Sequence, residues 1–352
     1  MLWSKILILI IVIIICVIIV LIFDQSSLFP NQITKFTFDV AKESENSIIH
    51  HLQDGIHLAI VCANQKFNEI ALTTIKSIMF HHRKSYILTF HIFTDAHGKQ
   101  FISTYFSSMT NVCTQFRIYS IDNLMKVGEQ FLKKHRITVS HYSGIYAFSK
   151  ALIHDLLPSD VQHVIVIDTD VIFVDDVYSI WKQFDLFKRN QTALGLVPWY
   201  PLVPIDYKYK ASAPDPFLTG IVLLDLNICR RIDFTQLLDK AVDTAYQQFQ
   251  LRSLWSADQV VLNLFATYFP DYFISLPCFV NGHTFHYLLD GSRWKSSCKG
   301  KYPRTLHVVP SNNLLNKSSY FGHWYTTFNE MPIEWLSYCN LDQLRIENRT
   351  NI

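Results

Sequence analysis

The sequence predicts a single large α/β domain built on a Rossmann-type sheet, on three observations. Short apolar strands alternate with helical stretches, as parallel sheets with crossovers require. Polar or acidic residues stand directly after those strands. The chain has 352 residues, 49% of them hydrophobic and 14% aromatic, which suits one substantial buried core and excludes a disordered or fibrous protein.

In chain order, the first strand is Ile56–Cys62, ending at Ala63-Asn64. A helical stretch follows, with Ile70, Ile75, Ile78 and Met79 among its apolar positions. The second strand, Ile87–Phe93, ends at Thr94-Asp95, and a third, Gln115–Tyr119, alternates as a half-buried strand does. A helix is expected from Gly144 to Leu157, closed by Pro158. The fourth strand, His163–Ile167, is the strongest and runs into Asp168-Thr169-Asp170. Ligands of such sheets sit beyond the carboxyl ends of the strands. Asn64, Asp95, Asp168 and Asp170 all fall there, which turns separate residues into a candidate site.

The beginning of the chain carries a different signal. Ile6 to Phe23 is an unbroken apolar run. As a helix it spans ~27 Å, about the hydrocarbon thickness of an early secretory membrane. A cleavable signal peptide would have a shorter apolar run and small residues at a cleavage site, and Asp24 to Phe29 lacks that pattern. A buried core helix would not begin five residues from the chain start with no polar face. Lys5 precedes the run and no Lys or Arg follows until Lys35, so the charge bias places everything after Phe23 in the lumen. The expected layout is a cytoplasmic tail (1–5), an anchor (6–23), a stem (24–54), a catalytic domain (55–340) and a C-terminal tail (341–352), as a single-pass protein of the Golgi or ER membrane.

The lumen is oxidising, and Cys62, Cys113, Cys229, Cys278, Cys298 and Cys339 would face it. Cys278 with Cys298 is the preferred pair, flanking a polar, Gly-containing segment, while Cys62 in an apolar strand reads equally as a small buried hydrophobe. Asn190, Asn316 and Asn348 begin N-glycosylation sequons. The net charge of +2 gives no electrostatic basis for a nucleic-acid partner.

An Asp-x-Asp triplet arises easily by chance, so its position carries the argument. Two carboxylates ending a buried strand are costly unless a cation pairs with them. Hard cations such as Mn²⁺ or Mg²⁺ take oxygen ligands and bridge to phosphates, so a metal and a diphosphate are the chemistry expected. The bland reading is a solvated turn.

The segment Val166-Ile167-Asp168-Thr169-Asp170-Val171 resembles the metal motif of glycosyltransferase family 8. Further matches follow in that family's order. His141-Tyr142-Ser143-Gly144-Ile145-Tyr146 with Lys150 is similar to the segment whose basic residue lies near the donor diphosphate. Thr219-Gly220-Ile221 resembles the small-residue strand beside the donor sugar, and Asp258-Gln259 the acidic-amide pair at the reaction centre. Leu276-Pro277-Cys278-Phe279-Val280-Asn281 and His307 complete the set, the histidine matching the third metal ligand. Within the family the likeness is greatest to the LARGE-type xylosyltransferase domain, which the run from Phe321 through Tyr325, Thr327, Phe328 and Glu330 also carries.

This resemblance, over about residues 56–340, implies a nucleotide-diphospho-sugar transferase (GT-A-like) fold with a mixed sheet. It implies a retaining transferase that moves a sugar, xylose first among the candidates, from a UDP-sugar to a glycan or glycoprotein acceptor. Asp168, Asp170 and His307 would hold Mn²⁺, with Mg²⁺ the alternative. Lys150 would face the departing diphosphate, Thr219 and Gly220 the donor sugar, and Asp258 or Gln259 the reacting centre. Asn64 and Asp95 sit where a base and ribose could be read. The chain departs from the family at Leu218, where Asn is common, at Val260, and in Val308 to Asn313 after His307, where the diphosphate-contacting Lys is missing or comes from Lys317.

Each match has a plain structural counterpart: a capped helix start at His141, a snorkelling Lys150, a helix-capping Asp258, a satisfied strand histidine at His307. Jointly those readings leave the acidic pair without a partner. A haloacid-dehalogenase-type phosphatase needs a later Gly-Asp motif, and the chain contains no such dipeptide. A non-catalytic donor- or glycan-binding module is the remaining rival. Oligomeric state is open.

Overall fold

In the computed structural model, residues 55–82, 86–107, 114–199, 217–283, 298, 301–307 and 320–336 are described. The run 6–23, the stem, residues 200–216, Cys113, Cys339, Lys317, and the sequons at Asn316 and Asn348 lie outside them. Among the described residues no helix is long and apolar enough to cross a membrane.

Three parallel strands open the domain: β1 (Ile56–Val61), β2 (Leu88–Thr94) and β3 (Thr114–Ser120). They are joined through helices α1 (Asn64–His81) and α2 (Ala96–Phe106). Helix α3 (Ile121–His135) and a short strand, β4 (Thr138–Val139), follow. The stretch expected as one helix divides: α4 (Gly144–Ser149) gives way to a 3₁₀ segment, Lys150–Asp155. Lys150 through His154 are all buried there, while Asp155 at the end of the segment is exposed.

Strand β5 (His163–Ile167) returns parallel to β1, and β6 (Val171–Phe173) begins just past the Asp-x-Asp turn. Helices α5 (Tyr178–Trp181) and α6 (Phe184–Asn190) lead to β7 (Leu194–Pro198) and β8 (Phe217–Asp225). Then come α7 (Leu226–Ile232), α8 (Phe234–Phe249), β9 (Ser253–Leu254), α9 (Asp258–Tyr268) and β10 (Phe273–Ser275). Strands β11 (Gly282–His283) and β12 (Thr305–His307) and helix α10 (Tyr320–Glu330) complete the described fold.

The main sheet has seven strands in the order β10-β7-β8-β5-β1-β2-β3. It is mixed: β8 runs antiparallel to both β5 and β7. The central strands are mostly apolar because both faces are covered, with His57 on β1 and His91 on β2 among the buried exceptions. Ile56, Leu58, Ile60, Ile165, Ile167, Ile221 and Leu223 point into one core with α1, α2 and α10. Ala59, Val164, Val166, Val222 and Leu224 point into the other, with α3, α7, α8 and α9. A three-stranded sheet, β11-β12-β6, stands apart from the main one.

Helix α1 is buried along most of its length, so its polar side chains must find partners. Thr94 Oγ1 donates to Asn68 Oδ1 at 3.1 Å. Ser77 Oγ accepts from the Phe173 amide at 3.0 Å, fixing β6 against the helix. Cys278 and Cys298 form a disulfide, as the sequence suggests. Cys62 is buried with its thiol pushed up to about 12, chiefly by burial, so it is the inert hydrophobe expected of the plain reading.

Arg230 on α7 secures the turn that feeds β5. Its guanidinium donates to the carbonyls of Pro158 at 2.8 Å, Val161 at 3.0 Å, Leu157 at 3.3 Å and Ser159 at 3.4 Å. Arg230→Met leaves those carbonyls without their donor. The expected loss is about 3 kcal/mol, read as a lower urea midpoint at unchanged m-value.

Candidate functional site

The antiparallel direction of β8 places its beginning beside the end of β5. Ile167 pairs with Ile221 and the Asp168 amide donates to the Gly220 carbonyl at 2.9 Å. Thr219 and Gly220 therefore meet Asp168 although they lie far along the chain. The small sheet performs the same service for the histidine. β12 runs antiparallel to β6 with His307 opposite Val171, which sets the imidazole over the Asp-x-Asp turn. Its Nε2 lies 3.3 Å from Asp170 Oδ1 and 3.7 Å from Asp168 Oδ2. One ligand atom from each of Asp168, Asp170 and His307 fits within 4.8 Å of the others. Thr74 Oγ1, on α1, donates to the Thr169 carbonyl and pins the middle of the turn.

Gly220 is required by this packing, since a Cβ there would come within 2.3 Å of His307 Nδ1. Burial opposes a charged His307 ring, but Asp170 and then Asp168 outweigh it and hold the imidazole above its ordinary value. The donor set fits a divalent cation: two carboxylates and an imidazole. The charge count agrees. Asp168, Asp170 and Asp258 outnumber the two groups beside them that can carry positive charge, the Lys150 ammonium and the His307 ring.

Lys150 does not reach into the cleft. It is 4% exposed and sits beneath the floor. Its ammonium donates to Asp168 Oδ1 and to the Thr219 carbonyl at 2.8 Å, and lies 3.0 Å from Asp258 Oδ2. Burial opposes its charge, but Asp168 and Asp258 more than restore it, so its pKa is raised. Asp258 is pushed up to about 6, first by burial, with Lys150 pulling it back and Asp168 adding to the rise.

Asp258 begins α9, after a turn no sequence pattern announces. Ala257, buried, has φ 47° and ψ −119°, a conformation that favours glycine. Holding a non-glycine there costs about 1–3 kcal/mol, strain typical of a functional turn. Asn263 clamps α9 to the start of β8, accepting from the Phe217 amide at 2.6 Å and donating to the Phe217 carbonyl at 2.9 Å. That clamp places Leu218 and Thr219 opposite Asp258 and Gln259.

The resulting cleft, of about 250 Å³, is lined by the metal triad and Thr169, by Leu218, Thr219, Ser256, Asp258 and Gln259, by Val61 to Ala63 and Phe67, and by His141, Tyr142, Ser143, Tyr146 and Ala147. Tyr142 and Tyr146, one helical turn apart in sequence, are exposed at its rim. Asn64 and Asp95 come together but do not line it. Asp95 Oδ2 accepts from the Asn64 amide at 2.7 Å and Oδ1 caps α2 by accepting from Gly98 at 2.7 Å. Asn64 itself is left-handed, φ 64°, which its short polar side chain tolerates. The pair fixes the loop after β1 whose residues do form a wall.

A strand-end cleft that brings together an acidic pair, a histidine and a buried carboxylate is suited to hold a divalent cation and a phosphorylated ligand. Residues 58–307 match glycosyl transferase family 8. The chicken xylosyl- and glucuronyltransferase LARGE1 is 33% identical over 237 residues, 65% of this chain and 29% of the relative. The human LARGE1 is 32% identical over the same shares. The aligned part is thus less than a third of those relatives' length.

Among solved structures, mouse xyloside xylosyltransferase 1 superposes with a TM-score of 0.58 at 15% identity, covering 73% of this chain and 98% of that one. The galactosyltransferase LgtC, solved with donor and acceptor sugar analogs, gives 0.59 at 15% identity over 80% of this chain and 99% of its own. These structures establish a GT-A-like mixed α/β fold. The chain belongs to glycosyltransferase family 8.

Gly220→Ala forces the His307 ring off Asp168 and Asp170, so Mn²⁺ affinity measured by calorimetric titration is expected to fall about 10–100-fold while the circular dichroism spectrum is kept. Asp95 carries a pH signature. Burial opposes its charge, but the amides of Asn64 and Gly98 hold its carboxyl below the ordinary value. Its contribution is therefore complete above the unfolded value of about 3.9 and lost as pH falls through the lower folded one. Asp95→Asn should unfold more readily than the parent at pH 7, and the gap in urea midpoint should close on acidification.

Proposed function

We propose that this enzyme transfers xylose from UDP-xylose to a lumenal glycan acceptor, with retention of configuration and with Mn²⁺ as its metal. The observation that carries the reading is the meeting of Asp168, Asp170 and His307 with Asp258 across one cleft. The names of the LARGE relatives, xylosyl- and glucuronyltransferases, support the donor sugar. The apolar run at 6–23 supports an anchor that presents the domain to the Golgi or ER lumen.

Asp168, Asp170 and His307 would hold the cation, which when bound supplies Lewis-acid stabilisation of the charge growing on the departing diphosphate. Thr219 and Leu218 form the wall beside the donor sugar. Asp258 faces the electron-deficient sugar carbon, as nucleophile or as electrostatic stabiliser, and its buried setting keeps water from blunting that charge. Gln259 stands next to it and orients the hydroxyl groups. Tyr142 and Tyr146 offer flat apolar faces at the rim, where an acceptor sugar arrives.

The test uses the lumenal fragment beginning near Gln53, made through a secretory route, with UDP release followed for a panel of UDP-sugars with and without Mn²⁺. Metal-dependent release from UDP-xylose is expected, and Asp168→Asn or Asp170→Asn should lower it at least about 100-fold. UDP binding without release from any donor would replace the transferase by a binding module. Release that ignores both substitutions would sink the site.

A further inference from the structure

We infer that Lys150 is a positioning residue that holds the metal site and the reaction centre in one frame, and that it does not grip the donor diphosphate. This rests on the transferase reading above. The ammonium donates to Asp168 Oδ1 and to the Thr219 carbonyl, and it lies 3.0 Å from Asp258 Oδ2 as an ion pair. Those groups come from the end of β5, from β8 and from the start of α9. With the 3₁₀ segment that carries Lys150, four elements converge on one nitrogen. Lys150 is buried beneath the floor, its ammonium turned to these three groups, and it is absent from the cleft wall that a phosphate would meet.

The geometry makes one buried cation serve two carboxylates with different tasks. Asp168 offers Oδ1 to Lys150 and turns Oδ2 toward His307, the side on which the cation would bind. Asp258 is held on the opposite side, at the reacting centre. Lys150 thereby fixes the offset between the metal and the group that meets the sugar carbon. It also draws charge from Asp168, so it moderates the pull of the site on the metal. A diphosphate clamp would act on donor affinity; a strut acts on the alignment of the chemical step, with donor affinity carried by the metal.

Lys150→Met and Lys150→Arg separate the two. In Lys150→Met, Mn²⁺ alone should bind several-fold more tightly, because Asp168 loses its neutralising partner. UDP affinity at saturating Mn²⁺ should move by no more than about threefold, while kcat falls about 100-fold with little change in donor KM. Loss of UDP affinity by about tenfold or more would restore the clamp, and an unchanged kcat in the folded variant would reduce Lys150 to a stabiliser. Should Lys150→Met fail to fold, Lys150→Arg decides. Arginine serves a phosphate as well as lysine does, so a clamp keeps both UDP affinity and kcat, whereas a displaced strut keeps UDP affinity and loses kcat. Absence of Mn²⁺-dependent UDP release in the parent enzyme would be the failure of the transferase reading instead, and is seen before any variant is made.

Discussion

A single buried ammonium sets the geometry of this domain's working end. Removing a charge from water is unfavourable by several kcal/mol, and only close opposite charge with full hydrogen bonding offsets it. Lys150 finds that compensation in hydrogen bonds to Asp168 and the Thr219 carbonyl and in the close charge of Asp258. Because each partner belongs to a different element, satisfying one side chain fixes the relative placement of β5, β8 and α9. The 3₁₀ segment that begins at Lys150 is buried through His154, so its backbone is held in place together with the ammonium.

The second organising choice is direction. In an all-parallel sheet the strand next to β5 would bring its end, with its own crossover helix, to the cleft. Running β8 the other way brings its start there instead, so a glycine and a threonine in extended backbone lie flat beside the acidic turn. Extended backbone occupies little room, and Gly220 lets the His307 ring close against it. The cleft is therefore narrow on the side of the histidine and open toward the exposed tyrosines.

Much of the frame was legible in the sequence. Strand positions follow from runs of Val, Ile and Leu, and the polar residues after them mark the site because a parallel sheet exposes those ends. Asp168, Asp170, His307, Asp258 and Thr219 are brought together as the family resemblance implies. What could not be read is of three kinds. The strained turn at Ala257 carries no residue signature, since alanine is the wrong residue for its backbone. Thr74 and Asn263 act through single hydrogen bonds across the fold, and neither position differs in composition from an ordinary helical one. The burial of Lys150 depends on the sheet and helix ends packed over it, which a lysine at the edge of a mostly apolar helical stretch does not announce.

The small sheet has a consequence for how the protein is made. Asp168 and Asp170 are in place once the central strands have paired, but His307 belongs to a strand that leaves the ribosome much later. Until β12 has docked on β6, the carboxylates repel one another with no imidazole to close the set. A chain interrupted before residue 307 would lack the imidazole that closes the set, whatever the state of its larger sheet. A cation held by all three side chains would therefore report that β12 has been made and has docked on β6.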